Sequence, residues 1–157
     1  MTSFSLIWAE TEFVFQQNLL NSKQLSPEIF ESYLDSVISG KWKTDSLLKY
    51  SDWLTQNQAS FLSTDNELIQ AFFYLENANI LRELENFEDS YLNVNKAYAS
   101  LSLEKHASLR DSILRIGVKF SGNHGDYKTA IKFLKKIEDS GFYNFNSTKL
   151  SDVMLDI

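Results

Sequence analysis

The sequence predicts an all-α chain of about eight helices, arranged as stacked antiparallel helical hairpins. Three observations carry this expectation. Apolar residues recur at three- and four-residue spacing through most of the 157 residues. One proline and five glycines interrupt the chain, too few turn-formers for an all-β domain of this length. The breaks between periodic segments are short and polar, and short connections force neighbouring helices to run antiparallel.

The length suits one domain, and 43% hydrophobic with 14% aromatic residues is enough for a packed interior. There is no cysteine. That excludes disulfides, thiolate metal sites and cysteine nucleophiles, and nothing suggests secretion. The net charge of −6 sits in the first half: residues 1–78 hold ten acids against four bases, and residues 79–157 hold eleven of each. An acidic chain repels phosphate backbones, so no nucleic-acid partner is expected. The opening MTSFSLIWAETEF lacks a basic flank, and its short apolar run meets Glu10 and Glu12. It reads as neither a signal peptide nor a membrane span, and the expected compartment is the cytoplasm.

The first helix is expected from Phe4 to Leu20, with Phe4, Trp8, Phe15 and Leu19 at helical spacing, ending at Asn21 and Ser22. SPEIFESYLDSVISGKW starts the second: Ser26 caps, Pro27 takes the first helical position where its missing N–H costs nothing, and Glu28 faces the positive helix end. Ile29, Phe30, Tyr33, Leu34 and Val37 form its apolar stripe, and Gly40 suits the stop. A third helix over 44–57 turns Leu47, Leu48, Trp53 and Leu54 inward. TDNELIQAFFYLENANILRELENF opens with Thr64 and Glu67 at capping-box spacing and is apolar on more than one side, as a central helix is. FEDSYLNVNKAYASL, SLEKHASLRDSILRIGVKF, GDYKTAIKFLKKIEDSG and STKLSDVMLDI follow as further helices.

In the segment 113–137, Ile113, Ile116, Gly117 and Phe120 precede a turn at Gly125, Asp126 and Tyr127, and Ala130, Leu134 and Ile137 follow it. Tyr74, Ala78 and Leu81, then Phe87, then Ser90, Val94 and Ala97 repeat the scheme. Over residues 67–141 this resembles the tetratricopeptide repeat, a helical hairpin of about 34 residues that stacks into an α-solenoid. The resemblance implies that small residues meet across each hairpin, Gly117 against Ala130 and Ala78 against Ser90. Asn77 stands where the family has a large apolar residue, and Phe87 and Tyr127 lie forty residues apart. The period is thus stretched, and within the second hairpin the resemblance implies one extra residue, His124 or a neighbour, in the turn. The expected organisation is one helical-repeat domain over 1–157. Its parts are N-terminal helices over 1–62, two hairpins over 63–141 and a capping helix over 142–157. A degenerate third unit is considered around SGKWKTDSLL, with Trp42 at its turn.

Chemistry is sparse. The two histidines, His106 and His124, lack partners at metal-ligand spacing, and no phosphate-binding glycine loop or serine elbow is present. His124 with Asp126 reads as a solvated turn before it reads as a catalytic pair. Glu83, Glu85, Glu88 and Asp89 read as a wet bend, and Lys128, Lys132, Lys135 and Lys136 as the solvated face of an amphipathic helix, opposite Ile131, Leu134 and Ile137. Phe72, Phe73 and Tyr74 are consecutive, so they cannot share one seam. GFYNFN, residues 141–146, is expected either to cap the last hairpin or to dock a neighbour. No catalytic residue, metal or cofactor is expected.

The resemblance implies a concave groove lined by the first helix of each hairpin and suited to a peptide. Its lining would be Phe72, Leu75, Asn79 and Arg82 in the earlier hairpin, and Asp111, Leu114, Arg115 and Val118 in the later one. Leu75 and Leu114 favour an apolar peptide over a charged chain end. The expected function is a non-enzymatic protein–protein interaction module, adaptor or chaperone-like, with a protein or peptide partner. A secretion-type chaperone, a peptide-sensing helical-repeat domain and a structural subunit of a larger assembly are the alternatives, and homo-oligomers stay open.

Overall fold

The computed structural model describes residues 18–19, 21–40 and 47–140. Among the described residues there are seven α-helices and no strand. They are α1 Pro27–Ile38, α2 Leu47–Gln56, α3 Gln58–Leu62, α4 Glu67–Glu83, α5 Phe87–Ser100, α6 Leu103–His124 and α7 Tyr127–Asp139. The helix expected from Phe4 falls within them only at its end, where residues 18–19 and 21–22 are helical. Trp42, the GFYNFN run and the capping helix expected over 142–157 lie outside the described residues.

The start of α1 follows from local chemistry. The Ser26 hydroxyl accepts the Ile29 N–H, Pro27 opens the helix, and Gly40 takes the left-handed conformation just past its end. Phe30, Tyr33, Leu34 and Val37 are buried and Ile29 is half-buried, as their spacing predicts. The third expected helix is two. It breaks at Asn57, whose side chain folds back onto the Trp53 carbonyl. Tyr50, Leu54 and Phe61 point inward, whereas Leu48 is 69% exposed and not part of the core.

The start of α4 also differs from expectation. Asn66 is the cap, its side-chain oxygen accepting the N–H groups of Leu68 and Ile69. The Thr64 hydroxyl accepts the Asn66 N–H instead, which tightens the approach to the helix. Glu67 is thereby free to reach across the molecule and accept the Ser102 N–H at 2.9 Å, where α6 begins. Phe72 and Phe73 are both buried, on opposite neighbours: Phe72 meets Tyr33 at 4.8 Å between ring centroids, and Phe73 meets Phe61 at 5.4 Å. Tyr74 is half-buried, edge-on to Phe73. A helix packed by α1, α2, α3 and α5 has no wet side to spare.

α4 and α5 form an antiparallel hairpin. Ser90 donates to the Ala78 carbonyl at 2.6 Å, further along Lys96 lies over the Tyr74 ring, and beyond the far end Glu67 holds Ser102. The expected meeting of Ala78 and Ser90 is therefore present. α6 and α7 form the second pairing, and α5 packs against α6. Arg110 fastens that junction, lying over the Tyr98 ring and donating to the carbonyls of Tyr98 and Leu101. α6 is kinked at His106, where the backbone leaves helical angles.

Both hairpin turns close in the same way. The Asn86 N–H reaches the Leu81 carbonyl with Glu85 left-handed, and the Asp126 N–H reaches the Ser121 carbonyl with Gly125 left-handed. The second turn thus holds no extra residue. The register difference appears in the packing instead, because Gly117 lies eight residues before Gly125 while Ala78 lies seven before Glu85. In consequence Gly117 lies against the ring of Phe133: a Cβ there would stand 2.6 Å from Phe133 Cδ1. α7 buries Ala130, Phe133 and Ile137, with Leu134 half-buried. Ile131, expected on the apolar side, is 51% exposed.

Candidate functional site

Two places combine polar groups with shape. The first is the face made by α4 and α6, where the expected peptide groove should lie. α1 packs across both helices there. Phe72, Leu75, Asn79, Asp111, Leu114 and Val118 are buried, so at these positions the groove is covered and not open. The physical cause is direct: the face is apolar, and the chain's own amphipathic α1 lies within reach of it. Arg82 and Arg115 keep partial exposure. Arg82 donates to Asn79 Oδ1 at 2.9 Å and to Glu83 at 2.7 Å, and its guanidinium lies 4.6 Å from the Phe120 ring centroid, so it is the member that reaches the second hairpin.

Polar groups are buried along this covered face. Glu76 and Asp111 are both inside, and both have partners. The Tyr33 phenol is pushed well above its ordinary range by burial, with Glu76 a second cause, so it stays a neutral hydroxyl. Where the first turn of α1 meets α6, a gap of about 210 Å³ is lined by Glu28, Glu31, Lys105 and His106. His106 Nε2 lies 3.6 Å from Glu67 Oε2. The Glu67 carboxyl is held below its ordinary range, chiefly by the Ser102 N–H and less by His106 and Lys105.

The second place is a cleft of about 490 Å³ between the two hairpin turns. Its walls are Phe87, Glu88 and Tyr91 from the start of α5, His124 and Gly125 from the end of α6, and Asp126 and Thr129 from the start of α7. The Phe87 and His124 rings stack, 3.4 Å between centroids and 18° apart. Tyr91 is 8% exposed and stands edge-on to Phe133. Its hydroxyl is buried without a hydrogen-bond partner among the described residues. Burial raises its pKa, and Asp126 raises it further, which places that carboxylate within electrostatic reach of the phenol. Asp126 caps α7 through the Thr129 N–H, and Thr129 holds its carboxyl below the ordinary range.

His124 and Asp126, read in the sequence as a solvated turn, are exposed and half-buried, and both line this cleft. Tyr91 and Thr129 are the members that the sequence did not single out. The available signal was Phe87 and Tyr91 at i and i+4, which puts two rings on one face beside the turn. The acidic bend is exposed as expected: Asn86 donates to Asp89, and Arg82 pairs with Glu83. The lysines of α7 are exposed, and Lys136 reaches Asn95 on α5. Among the described residues no group of three or more acidic, histidine or cysteine side chains is arranged to hold a metal ion. No described helix is long and apolar enough to cross a membrane. No family model matches the chain, and no curated protein and no solved structure matches it either.

Proposed function

We propose that the chain is a non-enzymatic protein-interaction module, adaptor or chaperone-like, and that it takes an amphipathic helical segment of its partner on the face of α4 and α6. The observation that carries this reading is the seating of α1. A face that accepts Phe30, Tyr33, Leu34 and Val37 within the chain has the shape and apolarity to accept a like segment from outside. The resemblance to tetratricopeptide hairpins supports it in second place, through the buried contact of Ser90 with Ala78. On this reading the partner competes with α1. Its apparent affinity falls in proportion to the fraction of molecules in which α1 has left the face. The half-exposed Arg82 and Arg115 stand at the edge, where an acidic residue of the partner would meet a guanidinium. Leu75 is a core residue, so Arg82, and not Leu75, is the position at which to alter binding without unfolding.

The test is complementation. A synthetic peptide of residues 26–40 is titrated into the intact chain and into a Val37→Ala variant, whose α1 is held less firmly. The variant is expected to bind the peptide and to melt at a higher temperature with it, and the intact chain to bind it at least about tenfold more weakly, a difference of about 1.4 kcal/mol. A variant that stays helical by circular dichroism yet shows no binding sinks the reading.

A further inference from the structure

We infer that the cleft between the two hairpin turns binds a planar organic cation, the guanidinium of an arginine side chain. The site shares no lining residue with α1, so it stands or falls separately from the helix-binding face.

Four features point to this ligand. Glu88 and Asp126 put two carboxylates on the walls, which repels phosphate or a carboxylate and attracts a positive charge. The acids are not grouped as metal ligands, so the cation is organic. Phe87 and His124 stack on each other and both line the cleft, and on the outer face of such a pair a guanidinium would lie face-down where a compact ammonium gains less. Tyr91 lines the cleft, and its hydroxyl is buried without a hydrogen-bond partner among the described residues, an acceptor that one of the five guanidinium N–H groups would satisfy.

Among the described residues no lysine or arginine is ion-paired with Glu88 or Asp126. Lys132 is the weakest of the influences on the Asp126 carboxyl, behind Thr129 and His124. The Asp126 oxygen that caps α7 uses only part of its accepting capacity on the Thr129 N–H, since a carboxylate offers about four lone-pair sites.

The experiment is a two-dimensional NMR titration of the full chain with N-acetyl-arginine amide, and with the citrulline counterpart, which has nearly the same shape without the charge. Arginine amide is expected to shift the amides of Phe87, Tyr91, His124 and Thr129, with a Kd of about 1–10 mM, as suits one side chain. Citrulline amide should bind at least about fivefold more weakly. Glu88→Gln, at an exposed position, and Tyr91→Phe, which removes only a hydroxyl, should each weaken arginine about three- to fivefold without lowering the melting temperature. Equal affinity for the two probes, shifts located elsewhere or absent, or unchanged binding by both variants overturns the assignment. Because the probe is a single amino acid, it does not report on the face under α1.

Discussion

Gly117 shows how much one residue can say in advance and where that stops. Its smallness inside a helix marks a close approach, and the approach is there. The nearest atoms belong to the ring of Phe133, a residue that the repeat pattern does not pair with it. No local property of glycine encodes that choice of neighbour. Gly117→Ala would force Cβ to within 2.6–2.7 Å of three Phe133 ring atoms. The resulting repacking costs about 1–3 kcal/mol, against a gain of about 1 kcal/mol in helix propensity. Urea unfolding should therefore show a net loss of up to about 2 kcal/mol, relieved in a Gly117→Ala, Phe133→Leu double variant. A single variant more stable than the parent would show that the ring moves aside at no cost. Tyr91 makes the complementary point. Its type and helical position are plain in the sequence, but the burial of its hydroxyl without a partner among the described residues is a product of tertiary packing, with Phe133 edge-on to its ring.

Helix ends were read best where the capping group and the helix are adjacent in the chain. Ser26 and Pro27 start α1 as expected; Asp126, read only as a turn residue, proves to cap α7. Thr64 and Glu67 failed as a capping box because Asn66 is better placed for the same N–H groups and because Glu67 has a partner 35 residues away in Ser102. Asp126 and Glu67 share a consequence. Both carboxyls are held below their ordinary ranges by hydrogen bonds made only in the folded chain. The folded state thus binds these protons less tightly than the unfolded state. Their stabilisation is complete above the ordinary carboxylate range, near pH 4, and is lost as pH falls through the lowered folded values. Melting temperature should drop on acidification from about pH 6 to about pH 3. Asp126→Asn with Glu67→Gln should flatten that slope while Asn keeps the α7 cap. An unchanged slope in the double variant would assign the acid sensitivity to other groups.

Across the whole molecule, α1 adds to the α5–α6 junction between the two hairpins, because it packs on both α4 and α6. Phe30, Tyr33 and Leu34 are essentially inaccessible to solvent. Phe30→Ala should cost about 3–5 kcal/mol, a large share of the roughly 5–15 kcal/mol expected for a domain. Chemical unfolding followed by circular dichroism and by tyrosine and tryptophan fluorescence would check this, the two probes moving together. A loss below about 1 kcal/mol would mean that α1 is loosely held, which would leave the α4 and α6 face open after all. Amino-acid order was sufficient for the helical class, for the stripe of α1, for the Ala78–Ser90 contact and for the turn at Gly125, because each depends on residues near one another in the chain. Long-range packing chose what no periodicity can state: that α1 covers the expected groove, that Phe133 meets Gly117, and that Phe87, Tyr91, His124 and Asp126 surround one cleft. An apolar face specifies that it must be buried, and leaves the choice of cover to whichever neighbour the folded chain brings against it.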